Sequence, residues 1–238
     1  MDYLLLCQQV LNGMQLGVML FLMASGLTLV FGIMDLINLA HGSLFMVGAY
    51  LCATVYQMTG SFGIGLMAAL PGTALVGILI ETVALRKLYA RSHLDQVLAT
   101  YGLILFLNEL TKILWGPRAL FLDVPGVLSG TVEIIPGMPY PAFRLAIIIV
   151  GIIVAIGLYF LIARTRIGML IRASATNREI VGALGVNVKL LYTLVFGLGA
   201  LLAGLAGAMA GPLLAVEVGM GEDILILTFV VIVIGGIG

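Results

Sequence analysis

His41 is the one histidine inside the long apolar start of the chain. It lies in the run Asp35-Leu36-Ile37-Asn38-Leu39-Ala40-His41-Gly42-Ser43, where Asn38 and Ser43 complete a compact polar cluster. An imidazole, an amide and a hydroxyl in apolar surroundings can contact or gate a passing solute, which makes such groups functional candidates. They can equally satisfy a neighbouring helix through hydrogen bonds. No second His or carboxylate stands at ligand spacing, so a metal site is not expected. A second polar set is Asn108, Glu109 and Lys112. Glu109 and Lys112 can pair at i,i+3 on one helix face, which reads as charge neutralisation before it reads as solute contact.

Residues 164–189 are the richest polar segment. Asn177 can cap a short helix with Glu179 in its first turn, Ala183 and Leu184 offer an apolar face, and Gly185 ends it. On the residues alone a connecting segment is the simpler reading, and a helix that docks into a partner's groove is the alternative. The phosphate-binding loop Gly-x-x-x-x-Gly-Lys-Ser/Thr, the Gly-x-Ser-x-Gly elbow and the His-Glu-x-x-His pair are all missing. An enzyme is therefore not expected, no cofactor is implied, and ATP-driven work would need another subunit. Cys7 and Cys52 both fall in apolar runs and are expected to be buried packing residues, with no disulfide framework. A net charge of +0 offers no basic field for nucleic acid.

The elements that must position these residues follow from hydropathy. Apolar residues make up 62% of the chain and charged residues 9%, and charge-free runs extend from Tyr3 to Met34 and from Leu36 to Ile80. A span needs about 20 apolar residues, so several helices must cross a bilayer. Apolar segments lie near 4–33, 36–59, 61–85, 97–115, 143–163, 190–214 and 223–238. The expected fold is an all-α polytopic transmembrane helix bundle of about seven apolar segments, forming a single domain over 1–238. Eight of the eleven Lys and Arg residues fall in two groups, Arg86, Lys87 and Arg91, then Arg164, Arg166, Arg172, Arg178 and Lys189. The positive-inside bias makes both groups cytoplasmic. The segment 116–142 between them is then external, and with five of the seven prolines it reads as an ordered loop. Trp115 and Tyr140 at its edges suit the headgroup level, with chance placement of two aromatics an equal alternative.

The polar run around His41 is either a broken or re-entrant helix or an ordinary cytoplasmic turn. Two full crossings would put residue 1 outside, the orientation favoured here, and a re-entrant element would reverse it. Small residues recur as Gly199, Ala203, Gly207 and Gly211, beside Ala200, Gly204 and Ala208. Such a ridge lets another helix backbone approach closely, and Pro212 is expected to kink or end the helix.

Three blocks in this order resemble the permease family of branched-chain amino-acid ABC importers, of the leucine/isoleucine/valine type, across essentially the whole chain. They are Gly26 to Gly42, ending Asn38-Leu39-Ala40-His41-Gly42; Gly168-Met-Leu-Ile-Arg-Ala173 with Ala183-Leu-Gly-Val-Asn187; and Phe196 to Gly211 with the terminal Gly235-Gly-Ile-Gly238. The resemblance implies a plasma-membrane subunit, in the inner membrane of a Gram-negative bacterium, that forms half of a solute pathway. Its implied partners are a second related permease, two cytoplasmic ATPases that use the ATP, and an external solute-binding protein. It makes residues 174–187 a coupling helix, with Arg172, Asn177, Glu179 and Gly185 as ATPase-coupling positions. Asn38, His41, Gly42 and Ser43 become candidates for the path or helix break, and Gly199, Ala203, Gly207 and Gly211 for helix packing. Many relatives carry an acidic residue where this chain has Ser43, so no electrostatic role transfers there. Relatives continue through further helices after the Gly-Gly-Ile-Gly block, so the chain is expected to lack the family's C-terminal helices. The rival is an ion-coupled carrier using His41 or Glu109, and within the family the solute could also be urea or an amide.

Overall fold

A computed structural model describes residues 3–89 and 91–236. Ile237 and Gly238, the end of the Gly-Gly-Ile-Gly block and of the expected 223–238 segment, lie outside the described residues. Helix α1 runs Tyr3–Met34, α2 His41–Thr59, α3 Phe62–Val83 with Pro71 inside it, and α4 His93–Trp115. Strands β1 (Thr131–Ile135) and β2 (Met138–Pro141) form an antiparallel hairpin, with Val132 opposite Tyr140. Then follow α5 (Ala142–Arg164), α6 (Arg166–Thr176), α7 (Arg178–Ala183), α8 (Val188–Ala210) and α9 (Met220–Gly235). Helix is the form to expect of apolar segments, because it satisfies every interior backbone group without water.

Among the described residues the bundle is helical apart from the hairpin, and five helices are long and apolar enough to cross a membrane: Tyr3–Met34, Phe62–Lys87, His93–Trp115, Ala142–Arg164 and Val188–Ala210. The sequence suggested about seven such segments. Two of them behave differently for separate reasons. The 36–59 segment is helical only from His41, because its first residues form the break, and α2 is buried over most of its length. Among the described residues the last segment is helical over Met220–Gly235.

Helix α8 occupies the centre, packed by α1, α2 and α3, and its small residues make that possible. A Cβ added at Gly199 would lie 2.9 Å from the carbonyl oxygen of Gly26 on α1, and one at Gly26 would lie 2.8 Å from that of Gly199. A Cβ at Gly204 would sit 2.6 Å from the Thr73 hydroxyl of α3, while Gly48 of α2 meets the Gly204 backbone and Gly207 meets the Phe45 carbonyl. Ala203 and Ala208 are fully buried. The ridge therefore admits three helices rather than one. Gly211 differs: it makes ordinary contacts with Leu122 and Val216 just beyond the helix end, ahead of Pro212.

The ends of the bundle are distinguished by charge and by the hairpin. Asn12, near the start of α1, accepts hydrogen bonds from Arg144 Nη1 at 2.7 Å and the Tyr140 hydroxyl at 3.3 Å. The hairpin thus packs on the first turns of α1, while the far end of α1 meets α6. Tyr140 is fully buried, so it is a packing residue and not the headgroup anchor expected from its place beside the loop. Trp115 is half-buried and also turned inward, donating its indole N–H to Thr54 Oγ1 at 2.7 Å. Cys52 is buried, but Cys7 is only partly so.

Replacing Gly207 with Ala should lower the thermal midpoint of the detergent-solubilised protein, at a cost of about 1–3 kcal/mol from overpacking against the Phe45 carbonyl. Gly102, with nothing within 4 Å of an added Cβ, is the control. Gly102→Ala should leave the midpoint unchanged or raise it slightly.

Candidate functional site

The polar run around His41 is a break in the fold. Met34 ends α1, and Asp35 adopts φ 52°, a left-handed conformation that Asp tolerates through its short polar side chain. Its N–H donates to the Phe31 carbonyl at 2.9 Å. Leu36 and Ala40 are buried as the chain turns back into the bundle. His41 opens α2 alongside Gly26, where an added Cβ would lie 3.0 Å from Nε2. Gly26 is eight residues before the end of α1, so α2 starts about 12 Å along the axis from that end. The element is neither a re-entrant hairpin nor a surface turn: a non-helical connection enters the bundle and a helix begins inside it.

Asn38 and His41 are fully buried, and neither amide atom nor either ring nitrogen has a hydrogen-bond partner. Leaving such groups unpaired costs about 1–3 kcal/mol each. Exceptions of this kind call for a specific reason. The Met23 backbone of α1 lies within reach of the His41 ring, without a hydrogen bond of standard geometry. Gly42 backs onto Gly221 at the start of α9, and Ser43 is buried in the first turn of α2.

Gln96 holds the break in place. Its Oε1 accepts the Ile37 N–H at 3.2 Å, while its Nε2 donates to the carbonyls of Leu88 at 3.3 Å and Arg91 at 3.4 Å. Sequence reasoning missed this residue. The available signal was Gln96, Thr100 and Ile104 at four-residue spacing, which form the buried stripe of α4.

The 164–189 segment folds as two helices rather than one over 174–187. Thr165 Oγ1 accepts from the Gly168 N–H at 3.0 Å to start α6, and Gly168 packs on the carbonyls of Leu161 and Ile162. Arg172 donates to the Ile162 carbonyl, so its guanidinium is turned back onto α5. Asn177 separates α6 from α7, and its Oδ1 accepts the N–H groups of Glu179 and Ile180, both at 3.0 Å. Gly185 closes α7 at φ 87°, with its N–H on the Gly182 carbonyl at 3.0 Å. Val181 is buried, whereas Ile180 and Leu184 are 58% and 77% exposed, an apolar pair on one face of a charged segment.

These two regions meet. A cavity of about 510 Å³ lies between the end of α1 and the α6–α7 junction, lined on one side by Phe31 and Asp35 and on the other by Ser174, Asn177, Arg178 and Glu179. The tertiary structure thus joins the break to the segment around Glu179. It leaves the glycines of α8 behind the break, where Gly199 supports Gly26 under the His41 ring.

A family profile described as branched-chain amino acid transport system / permease component matches residues 9–238. The chain belongs to this family. It is 31% identical to the high-affinity branched-chain amino acid transport system permease protein BraD of Pseudomonas aeruginosa, over 97% of this chain and 79% of that one. It is 28% identical to LivH of Escherichia coli, over 100% of this chain and 81% of the relative. A probable LivH of Methanocaldococcus jannaschii is 28% identical over 92% of this chain and 70% of its own. No solved structure matches.

The permease carries one further polar network at the basic end. Glu81, buried in α3, accepts from Arg86 Nε at 3.1 Å and from the Tyr89 hydroxyl at 2.6 Å through Oε1. Its Oε2 accepts from Arg86 Nη2 at 3.0 Å and from the Thr193 hydroxyl of α8 at 2.8 Å. Burial, helped by the bond to Glu81, pushes the Tyr89 hydroxyl far above the ordinary phenol range, so it stays a donor. Every lone-pair direction of the carboxylate is used, which makes this a staple between α3, its following loop and α8. Asn108 reaches a different partner from the one its neighbours suggest, donating to Glu222 Oε1 of α9 at 2.6 Å, while Glu109 and Lys112 pair at 3.0 Å. Among the described residues no three His, Cys, Asp or Glu side chains form a group that could hold a metal.

Gln96→Ala should expose the Ile37 N–H and loosen the break without unfolding the bundle. Hydrogen exchange should speed up selectively over residues 35–41, with a stability loss of about 1–3 kcal/mol.

Proposed function

We propose that this permease forms half of the translocation pathway of an ABC importer for branched-chain or related amino acids. A second related permease completes the pathway, two cytoplasmic ATPases bind and hydrolyse the ATP, and an external solute-binding protein delivers the solute. The BraD and LivH relatives are named for branched-chain amino acid transport, which supports that solute class. The membrane is the plasma membrane, the inner one in a Gram-negative cell. The basic end, with Arg86, Lys87, Arg164 and Arg166, faces the cytoplasm. The hairpin and the start of α1 then face outward, and α2 and α9 complete seven membrane-embedded helices.

One observation carries the coupling role: α7 presents Ile180 and Leu184 to solvent at the basic end, beside Glu179. Exposed apolar side chains on a short capped helix suit a groove in a cytoplasmic partner. Closure of the ATPases would displace α6 and α7, and the adjoining end of α1 would follow. The break would then rearrange, giving Asn38 and His41 the partners they lack. Such coupling requires the ATPases to bind the two states of the bundle with different affinity.

Glu179→Arg should leave expression and assembly intact while abolishing solute-stimulated ATPase activity in the reconstituted importer. Unchanged stimulation would defeat the coupling assignment. Competitive uptake of leucine, a polar amino acid and urea in the same proteoliposomes tests the solute class: leucine should compete best. Uptake driven by an ion gradient without the ATPases would instead support a secondary carrier.

A further inference from the structure

Where α3 and α5 are open to their surroundings they present apolar side chains, Leu75 and Leu79 on α3 and Ile152, Ile153 and Ile156 on α5. Helix α4 does not. Glu109 and Lys112 pair at 3.0 Å with side chains 65% and 48% exposed, on a helix long and apolar enough to span. Glu109 stands six residues before Trp115, the last residue of α4, so it lies about 9 Å along the axis from that end. Its neighbour Asn108 donates to Glu222 at the start of α9, and Asp223 beside Glu222 is also exposed.

A separate contact fixes the depth of this patch. Gly221 backs onto Gly42, in the first turn of α2, and α2 begins inside the bundle. The first turn of α9 therefore starts at the level of the break, and Glu222 and Asp223 stand there with it. Hydrocarbon cannot solvate exposed carboxylates and an ammonium at that depth, and charged groups within spans turn toward protein or a water-filled cavity.

Resting on the half-pathway reading above, we infer that the face shared by α4 and α9 is the polar wall of the solute pathway, turned toward the second permease, while α3 and α5 face lipid. The wall carries both signs, Lys112 among Glu109, Glu222 and Asp223. That suits a zwitterionic solute, whose ammonium and carboxylate each need a partner once bulk water is left behind. The α4 ion pair and the Asn108 bond hold these groups when no solute passes. Both lie beside α2 and its buried break, so a shift of the break alters the wall itself.

The test uses the assembled importer, with this chain carrying Cys7→Ser and Cys52→Ala as the parent. Single cysteines are placed at Glu109, Lys112, Glu222 and, as the lipid-facing control, Ile153. In nanodiscs a charged, membrane-impermeant methanethiosulfonate should label Glu109→Cys and Glu222→Cys on the order of tenfold faster than Ile153→Cys, because a thiol reacts as its thiolate and needs water. In proteoliposomes the same labelling should abolish ATP-driven leucine uptake at the two wall positions. Labelling as slow as at Ile153 overturns the inference, since the face is then sealed against lipid or protein. Fast labelling with uptake kept at the parent rate overturns it too, since the face is then wet but lies off the path. If Glu109→Cys fails to assemble, Lys112→Cys on the same face decides by the same two readings. Absence of ATP-driven uptake in the unsubstituted importer would instead sink the half-pathway reading, a result distinct from either of these.

Discussion

In lipid no hydrophobic drive pulls helices together, so a central helix must be held by close contact, and α8 is held by backbones that touch. Gly26 against Gly199, Gly48 against Gly204 and Gly207 against Phe45 bring α1 and α2 to distances that a single Cβ would forbid. Everything else hangs on this. His41 can approach Gly26 because Gly199 lets α1 come near α8, and α2 begins inside the bundle where α8 leaves it room. The Glu81 network then fixes α3 to the same helix from the basic end through Thr193.

A tightly packed centre creates a mechanical problem for a transporter, because a close-packed interior does not deform gradually. The structure places its exceptions at one edge of that centre. The break from Asp35 to Ala40 is non-helical, its backbone is tied to α4 by a single glutamine, and its amide and imidazole are buried without partners. That is where a change of state meets least resistance and stands to gain hydrogen bonds. The cavity beside it opens toward the segment around Glu179, so the soft part of the fold and the α6–α7 junction are neighbours.

The caps and stops were legible because they are local. Asn177 before Glu179, Gly185 after Leu184 and Pro212 beyond the glycine ridge all act within one turn of their own position. Gln96 was not legible, since a glutamine near the start of an apolar helix looks like an interfacial residue until the Ile37 N–H arrives from a different part of the chain. Tyr140 failed for a related reason: its position beside an external loop suggested the headgroup level, but its hydroxyl is drawn inward by Asn12. The turn of Arg172 back onto the Ile162 carbonyl was not legible either, because it depends on how α6 folds against α5.

By itself the sequence determined that this protein is a multi-helix membrane protein, because charge-free length can be satisfied only by spans. It also determined the family, because ordered blocks spread over the whole chain do not recur by chance. Hydropathy could not say how many helices are long and apolar enough to cross, since it measures apolar content and is blind to where a helix starts. Only the tertiary structure decided that the polar run would be a break inside the bundle, that one helix would be enclosed by three, and that Asp35 and Glu179 would line the same cavity. Those outcomes depend on which backbones can touch, a property of pairs of helices that no single stretch of residues contains.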